Sequence, residues 1–291
     1  MSANAVRSES SGHDVCERGM KKMRQLIFLG TGAAMATECY NACFLVRTPN
    51  GDYFLTDAGG GNGILRQMKR AGVPLEHLRC LFVTHGHSDH ILGAIWVIRR
   101  IASLMNKDFY EGEFHIYCHD VACEIIEMLA QMLLTRDELL QYGKRILLHE
   151  IHDGEQVNFL NMKLTAFDIR SRKAKQFGYR LRFANRHTLV CLGDEPYNER
   201  CRAYAEKADW LVSEAFCLDA DADRFRPHEK GHGTVRETAM NAEKLMAKHL
   251  VMFHTEDTAM DSRKERYTAE AAEHYKGAIF VPDDLDVIDI D

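Results

Sequence analysis

The sequence lacks the features that would place the chain in a membrane or outside the cell. No run of apolar residues approaches the length of a membrane-spanning helix. Residues 1–23 are polar and charged and lack the apolar centre of a signal peptide. The nine cysteines are odd in number and include no C-x-x-C pair, which indicates reduced thiols rather than a disulfide framework. These absences predict a cytoplasmic protein without a membrane segment.

The sequence also lacks an excess of positive charge and any stretch that resembles a linker between domains. The formal net charge is −6 over 291 residues, which disfavours general nucleic-acid binding. A chain of this length can bury one large core. Because residues 1–23 are rich in serine and charge, we predict a disordered leader there. We predict a single folded domain over residues 24–291.

One short stretch is dense in metal-binding side chains. Residues 84–90 read THGHSDH and follow an apolar run at residues 80–83, which predicts a buried strand. His85 and His87 point the same way in extended backbone, whereas Asp89 and His90 lie around the bend and can serve a second ion. A lone histidine is more often a surface or core residue, but packing has no use for four adjacent polar ligands. The stretch predicts two metals that activate a water, which Asp89 holds or deprotonates.

With this H-x-H-x-D-H pattern the chain resembles the metallo-β-lactamase-fold hydrolases, and it is most similar to their ribonuclease Z branch. The turn at residues 30–34, GTGAA, is similar to the first motif of that branch. The resemblance runs from about Arg24 to the C-terminus. It implies an α/β fold, a four-layer αβ/βα sandwich with the metals at one edge of two sheets. His87 stands where an iron-binding, oxygen-reducing branch has glutamate, so the resemblance implies hydrolysis rather than redox chemistry.

The resemblance also implies metal-site residues outside the motif. Asp57 is expected to be a buried support for the metal loop. Asp194 matches the carboxylate that bridges both metals, because a carboxylate has two oxygens and can reach two ions. His254 matches the residue that completes the second site. The implied ligand set is therefore His85, His87, Asp89, His90, Asp194 and His254.

A second pair of residues is implied to assist the leaving group. Glu214 ends an apolar strand, and His232 is the histidine of an H-x-T motif. In ribonuclease Z-like enzymes such a histidine is paired with such a glutamate and donates a proton to the leaving oxygen. Contact with the carboxylate is expected to orient the ring and to raise the pKa of His232. The alternative for His232 is a loop histidine in a glycine turn.

The chain departs from the family where a third histidine ligand is expected. The matching position, in the segment FDIRS at residues 167–171, holds Arg170. Arginine stays protonated and does not bind zinc. We therefore expect a weakened first metal site, with Arg170 gripping a substrate phosphate by its planar fork. More basic residues follow with no acidic residue among them: Arg172, Lys173, Lys175, Arg180, Arg182 and Arg186. Such a run is equally expected on a solvated face.

These features predict a metal-dependent hydrolase that cleaves a phosphodiester or a related anionic ester. Two zinc ions are expected, with manganese or iron as alternatives. Processing of transfer-RNA 3′ ends is an alternative function, although the sequence has no long glycine- and proline-rich basic arm of the kind that family uses to hold RNA. An alternative of another class is a degenerate domain that binds a metal or a partner without turnover. The resemblance suggests a homodimer.

Overall fold

The computed structural model describes residues 23–291, so the predicted leader, apart from Met23, lies outside the described residues. Within this range the chain forms fourteen strands and eight α-helices. No helix of residues 23–291 combines the length and the apolar character needed to cross a membrane.

The strands and helices have the following bounds along the chain. The strands are β1 (Gln25–Gly30), β2 (Cys43–Arg47), β3 (Tyr53–Thr56), β4 (Leu78–Val83), β5 (Phe114–Cys118), β6 (Ile146–Glu150), β7 (Gln156–Phe159), β8 (Met162–Asp168), β9 (Phe177–Arg182), β10 (Thr188–Cys191), β11 (Trp210–Glu214), β12 (His249–Phe253), β13 (Ala278–Phe280) and β14 (Val287–Asp289). The helices are α1 (Gly63–Arg70), α2 (Ser88–Met105), α3 (Asp120–Leu133), α4 (Arg136–Leu139), α5 (Arg202–Ala205), α6 (Ala222–Phe225), α7 (Val235–Lys244) and α8 (Met260–Ala272).

The strands form two sheets of seven strands each. The first has the order β14-β1-β2-β3-β4-β5-β6 and the second the order β13-β12-β11-β10-β9-β8-β7. Strands β3 to β6 run parallel, as do β10 to β13. Parallel neighbours need a crossover connection, and helices such as α2 and α7 supply it. Loops that follow these parallel strands therefore meet at one edge of the sandwich.

The burial of alternate residues shows which core each face of a strand contacts. Along β1, Leu26 and Phe28 pack in the core between the two sheets, whereas Ile27 and Leu29 pack against the helices of the first sheet. This is the period of two that a strand imposes. A third core lies between the second sheet and α5, α7 and α8. The layers are helix, sheet, sheet and helix, which confirms the predicted αβ/βα sandwich.

Helix α3 departs from the burial that its apolar spacing predicts. The methionines and leucines over residues 121–134 predict a stripe packed in the core. The helix instead buries small and branched side chains such as Ala122, Ile126 and Ala130. Met128, Met132 and Leu133 are more than half exposed. The prediction was wrong for these three residues, because α3 turns its other face to the first sheet.

Candidate metal centre

The H-x-H-x-D-H motif bends from the end of β4 into the start of α2. His87 precedes the helix in extended backbone, and Asp89 and His90 lie in its first turn. A carboxylate is favoured there by the helix dipole. Gly93, one turn later, lets α2 approach the loop after β3: its N–H donates to the Gly59 carbonyl at 2.8 Å. A Cβ at residue 93 would lie 1.8 Å from the Ala58 oxygen, so this approach requires glycine.

Asp57 holds the motif in place. It is buried, and its two oxygens accept from the Thr84 backbone N–H at 2.8 Å, the Thr84 hydroxyl at 2.7 Å and His90 Nδ1 at 2.7 Å. Because the Thr84 hydroxyl donates to Asp57, it accepts from His85 Nδ1 at 2.9 Å. These contacts orient both rings so that Nε2 of His85 and Nε2 of His90 face Asp194. Asp57 has the supporting role predicted for it.

Asp194 brings the two halves of the site together. It follows β10 after Gly193, whose φ of 82° requires glycine's freedom. One carboxylate oxygen, Oδ2, lies 3.7 Å from His85 Nε2, 3.9 Å from His90 Nε2 and 3.8 Å from His254 Nε2. The other oxygen accepts a hydrogen bond from Gln176 Nε2 at 2.7 Å. A single oxygen among three imidazole nitrogens is the placement that a bridging ligand requires.

Asp89 completes the cluster around His90 and His254. Its Oδ2 lies 3.2 Å from His90 Nε2 and 3.5 Å from His254 Nε2. Among the described residues, His90 Nε2 and both ring nitrogens of His254 are buried without a hydrogen-bond partner. Buried polar atoms without partners call for an explanation, and a divalent cation bound by imidazole and carboxylate supplies one. The residues present therefore fit a metal site.

The electrostatics of the cluster are those of a cation site. Burial favours the neutral form of Asp194, but the neighbouring His85, His254 and His90 outweigh it and hold its pKa well below the usual range. Burial likewise opposes ionisation of Asp89, but the adjacent rings of His254 and His90 outweigh it and hold its pKa far below normal. Burial lowers the pKa of His85. Ionised carboxylates beside a neutral imidazole form a donor set that binds a divalent cation.

Two residues of the centre have a strained backbone. Asp57 has a φ of 53° and His254 a φ of 56°, both in the left-handed region. Non-glycine residues there cost on the order of 1–3 kcal/mol each. The surrounding fold maintains both conformations, because Asp57 is fixed by Thr84 and His90 and because His254 directly follows the buried strand β12.

The six predicted ligands differ in how completely the structure brings them together. Five of them lie in overlapping groups whose ligand atoms are within 4.8 Å of one another: His85, Asp89, His90, Asp194 and His254. His87 is half-buried and stands at the edge of these groups, with its Nδ1 2.7 Å from His85 Nε2. His87 therefore contacts His85 at hydrogen-bonding distance, and its place as a ligand of the first metal stays a prediction.

His232 and Glu214 meet at the centre, but not with the protonation that was predicted. His232 Nδ1 donates to the Asp194 backbone carbonyl at 2.9 Å and is 3.6 Å from Glu214 Oε2. Burial, with His254 and Lys173 nearby, lowers the pKa of His232 to about 3. Burial also raises the pKa of Glu214 well above its usual value. The expectation of a raised His232 pKa was wrong, because the loss of water around the buried ring outweighs the opposing effect of Asp194.

Arg170 does not stand beside the predicted ligands. Its guanidinium pairs with Asp168 at 3.0 Å and with Asp153 at 2.6 Å, and its side chain is 46% exposed. The cation that reaches the centre is Lys173, whose Nζ lies 3.9 Å from Asp194 Oδ2 and 3.7 Å from Glu195 Oε1. The structure therefore corrects the placement of Arg170: the charge expected at the first metal site comes from a residue three positions later.

The remainder of the basic run divides among other roles. Lys175 pairs with Asp120 at 2.6 Å, and Arg180 donates to the backbone carbonyls of Tyr204 and Glu206. Arg182 and Arg186 line a surface cleft at the far end of β8 and β9. The sequence showed Lys173 as a member of the run but did not distinguish it. No sequence signal marked Gln176, which holds Asp194.

Comparison with known proteins decides the family. A profile described as Beta-lactamase superfamily domain matches residues 52–255. The chain belongs to the beta-lactamase superfamily. A ribonuclease Z of Thermococcus onnurineus is 26% identical over 91% of this chain and 94% of its own length. The fold is shared with the metallo-beta-lactamase fold protein YhfI of Bacillus subtilis, at a TM-score of 0.72 and 19% identity over 92% and 100% of the two chains.

The short form of human tRNase Z has the same fold, at a TM-score of 0.70 and 20% identity over 92% of this chain and 99% of that one. These likenesses confirm the predicted resemblance to the ribonuclease Z-like branch of the beta-lactamase superfamily. This member of the superfamily is accordingly a metal-dependent hydrolase.

Proposed function

We propose that this hydrolase cleaves a phosphodiester or a related anionic ester. The observation that carries the proposal is the single Asp194 oxygen placed among the Nε2 atoms of His85, His90 and His254. The likeness to ribonuclease Z supports the choice of phosphodiester. The proposed metal ligands are His85, His87, Asp89, His90, Asp194 and His254, and zinc is the proposed metal because four of these six are histidines.

When bound, two such ions act as Lewis acids and lower the pKa of water. Asp89 is the carboxylate that we expect to orient the attacking water, since its Oδ2 lies beside Nε2 of His90 and of His254. Asp57, Thr84 and Gln176 keep the rings of His85 and His90 and the Asp194 carboxylate fixed. A site prepared in this way costs little reorganisation during the reaction.

In this proposal Lys173 has the substrate-binding role that the sequence assigned to Arg170. Its ammonium group lies within 4 Å of the Asp194 carboxylate and can donate to a non-bridging oxygen of an anionic ester. His232 Nδ1 is bound to the Asp194 carbonyl, which leaves Nε2 for the substrate. We propose that this nitrogen takes up a proton released by the attacking water and passes it to the leaving oxygen, while Glu214 holds the loop at Gly233, whose N–H donates to Glu214 Oε1.

Processing of transfer-RNA 3′ ends is the second candidate, favoured by the ribonuclease Z relatives. Against it stand the net charge of −6 and the absence, within residues 23–291, of a long basic arm outside the sandwich. RNA binding depends strongly on positive charge that replaces counterions. A smaller phosphodiester therefore fits the chain better.

One experiment separates these functions. The chelated protein is reloaded with zinc, manganese or iron and assayed on bis(4-nitrophenyl) phosphate, a precursor transfer RNA and a lactone. Turnover of the small diester with about two metals bound per chain is the expected result. Cleavage of only the transfer-RNA precursor would establish the second candidate. No turnover and no bound metal would leave the degenerate domain as the correct interpretation.

We also propose a homodimer and a cytoplasmic location. The exposed Met128, Met132 and Leu133 of α3 form an apolar stripe that a second copy would cover. Light scattering during size-exclusion chromatography should give twice the chain mass, and Met132→Glu should give the monomer; a monomeric wild type would refute the dimer.

The eight cysteines of residues 23–291 are free, which supports a reducing compartment. Mass spectrometry that found disulfides in protein taken from cells would contradict this location.

A further inference from the structure

A second cavity opens beside the metal centre and shares a wall with it. It has a volume of about 280 Å³, and we call it the side pocket; its walls include Ala33, Ala34, Met35, Phe216, Phe225 and Lys230. His232 also lines it, and the same ring lies within 4.8 Å of ligand atoms of Asp194 and His254. A molecule that reaches the metals therefore has the side pocket as its immediate neighbour.

One part of the side pocket is aromatic and apolar, and Thr255, Glu256, Asp257 and Thr258 line the rest. Phe216 stacks on His232 with ring centroids 5.0 Å apart and an angle of 13°, and Phe225 stands edge-on to Phe216 at 6.2 Å. Together with Ala33 and Cys217 these rings form a small apolar cluster separate from the three main cores. Their arrangement is thus not explained by packing of the sheets. Met35 is 90% exposed at the rim, where its flexible thioether can close over an apolar ligand.

Charged side chains of both signs surround the side pocket: Glu256 and Asp257 are in its lining, and two lysines lie close by. Lys230 Nζ lies 5.1 Å from the centre of the Phe216 ring, and Lys173 Nζ stands by Asp194. Because carboxylates lie in the pocket and Lys173 stands by Asp194, the pocket suits a flat, uncharged ring whose anionic group lies at the metal centre. The volume lies near the small end of the range for ligand pockets, roughly 300–1,000 Å³. It therefore admits one ring system and excludes a helical nucleic acid.

We propose that the side pocket binds a single planar aromatic group, of the size and kind of a nucleobase, attached to the phosphate that the metal centre holds. This inference rests on the proposed function and narrows its substrate to nucleotide-like phosphodiesters. The ring contacts Phe216, Phe225 and Met35, and the phosphate reaches Lys173. Because Phe216 packs on His232, the bound ring lies next to the residue proposed to serve the leaving oxygen.

The test compares two ligands that differ only in the ring. Isothermal titration of the zinc-loaded protein with adenosine 5′-monophosphate and with ribose 5-phosphate gives the dissociation constant of each. We expect the nucleotide to bind about tenfold more tightly, since stacking of one base contributes on the order of 1.4 kcal/mol, which is a factor of ten. Equal constants, or no binding of the nucleotide, would overturn the inference.

Two variants alter the pocket in opposite ways. Phe225→Ala empties one wall, and Ala34→Leu fills the exposed mouth. In each variant the dissociation constants of the two ligands should differ by about twofold or less, and that of ribose 5-phosphate should be unchanged. The control Met132→Ala on α3 should keep the tenfold preference for the nucleotide. Variants that retain the preference, or that weaken both ligands equally, would contradict the proposal. Because the titration needs no turnover, a protein that prefers the nucleotide but hydrolyses no phosphodiester would refute the proposed function alone.

Discussion

At the scale of single residues, the metal centre depends on side chains whose two polar atoms contact different partners. Asp194 uses one oxygen for Gln176 and offers the other to three histidines. His90 uses Nδ1 for Asp57 and offers Nε2 to the two carboxylates. Each ligand is thereby held in one orientation before any ion arrives, and losing either contact should weaken metal binding.

The first prediction concerns Asp194. Replacement by alanine should remove metal and activity together, because one carboxylate serves both ions and its loss leaves their charges facing each other. Metal content by mass spectrometry of the purified variant should fall from about two ions per chain to one or none. The control Asp209→Ala removes a carboxylate that hydrogen-bonds Thr188 and should keep both ions. Full metal content in Asp194→Ala would show that this residue is not the bridge.

The second prediction concerns Lys173. Lys173→Ala should raise the Michaelis constant for anionic esters by roughly tenfold or more, since a hydrogen bond to a charged group contributes about 1.5–3 kcal/mol. Lys173→His should remove the cation and supply a nitrogen ligand, so zinc should bind more tightly in competition with a chelator. Lys175→Ala is the matched control, because its partner is Asp120. Unchanged Michaelis constant and zinc affinity in the two Lys173 variants would rule out both roles.

The third prediction concerns His232. His232→Ala should keep its metal and slow turnover by roughly 10²–10⁴-fold, the usual contribution of general acid catalysis. The loss should be much smaller for a 4-nitrophenyl ester, whose leaving group needs no proton. Rates over a series of esters with different leaving-group pKa values provide the measurement. A loss that is the same for every leaving group would assign His232 to substrate binding instead.

At the scale of elements, the sequence predicted the features that depend on residues close together along the chain. The motif at residues 84–90 follows a strand and begins a helix, so its side chains converge for local reasons. The conformation of the loop between β8 and β9 depends instead on contacts with residues distant in sequence. Arg170 adopts a φ of 60° there, and the Ser171 hydroxyl donates to Glu195 at 2.5 Å. These tertiary contacts send Arg170 outward and return Lys173 to the centre, and no sequence pattern reports them.

The fourth prediction concerns the packing of α2 on the loop after β3. Gly93→Ala would gain about 1 kcal/mol in helix propensity, but its Cβ would meet the Ala58 backbone oxygen at 1.8 Å. That backbone adjoins Asp57 and cannot move without disturbing His90. The clash should prevail, with a net destabilisation of about 1–3 kcal/mol, or roughly 2–10 °C in Tm. Thermal melts of Gly93→Ala would be compared with Gly61→Ala, which has open space for a Cβ. Equal Tm values would contradict the close packing.

At the scale of the whole molecule, the proposed metal centre joins the two halves of the sandwich. His85, Asp89 and His90 come from the first sheet and α2, whereas Asp194 and His254 follow strands of the second sheet. Resemblance supplied these last two residues, since nothing local to them indicates a metal. A ligand that binds only the folded chain stabilises it in proportion to the logarithm of its concentration over its dissociation constant.

The last prediction is that metal removal destabilises the entire fold. Without ions, the ionised Asp89 and Asp194 remain buried near each other, and nitrogens of His90 and His254 remain without partners. The two sheets also lose the ions that ligands from both of them would bind. Chelation should lower Tm, and zinc added at about 100 times its dissociation constant should restore roughly 2.7 kcal/mol. Differential scanning calorimetry of the native protein and of Asp194→Asn provides the measurement and its control. In the variant, whose neutral amide cannot bridge two cations, chelation should shift Tm much less. An equal shift in both proteins would mean that the stabilising ion binds elsewhere.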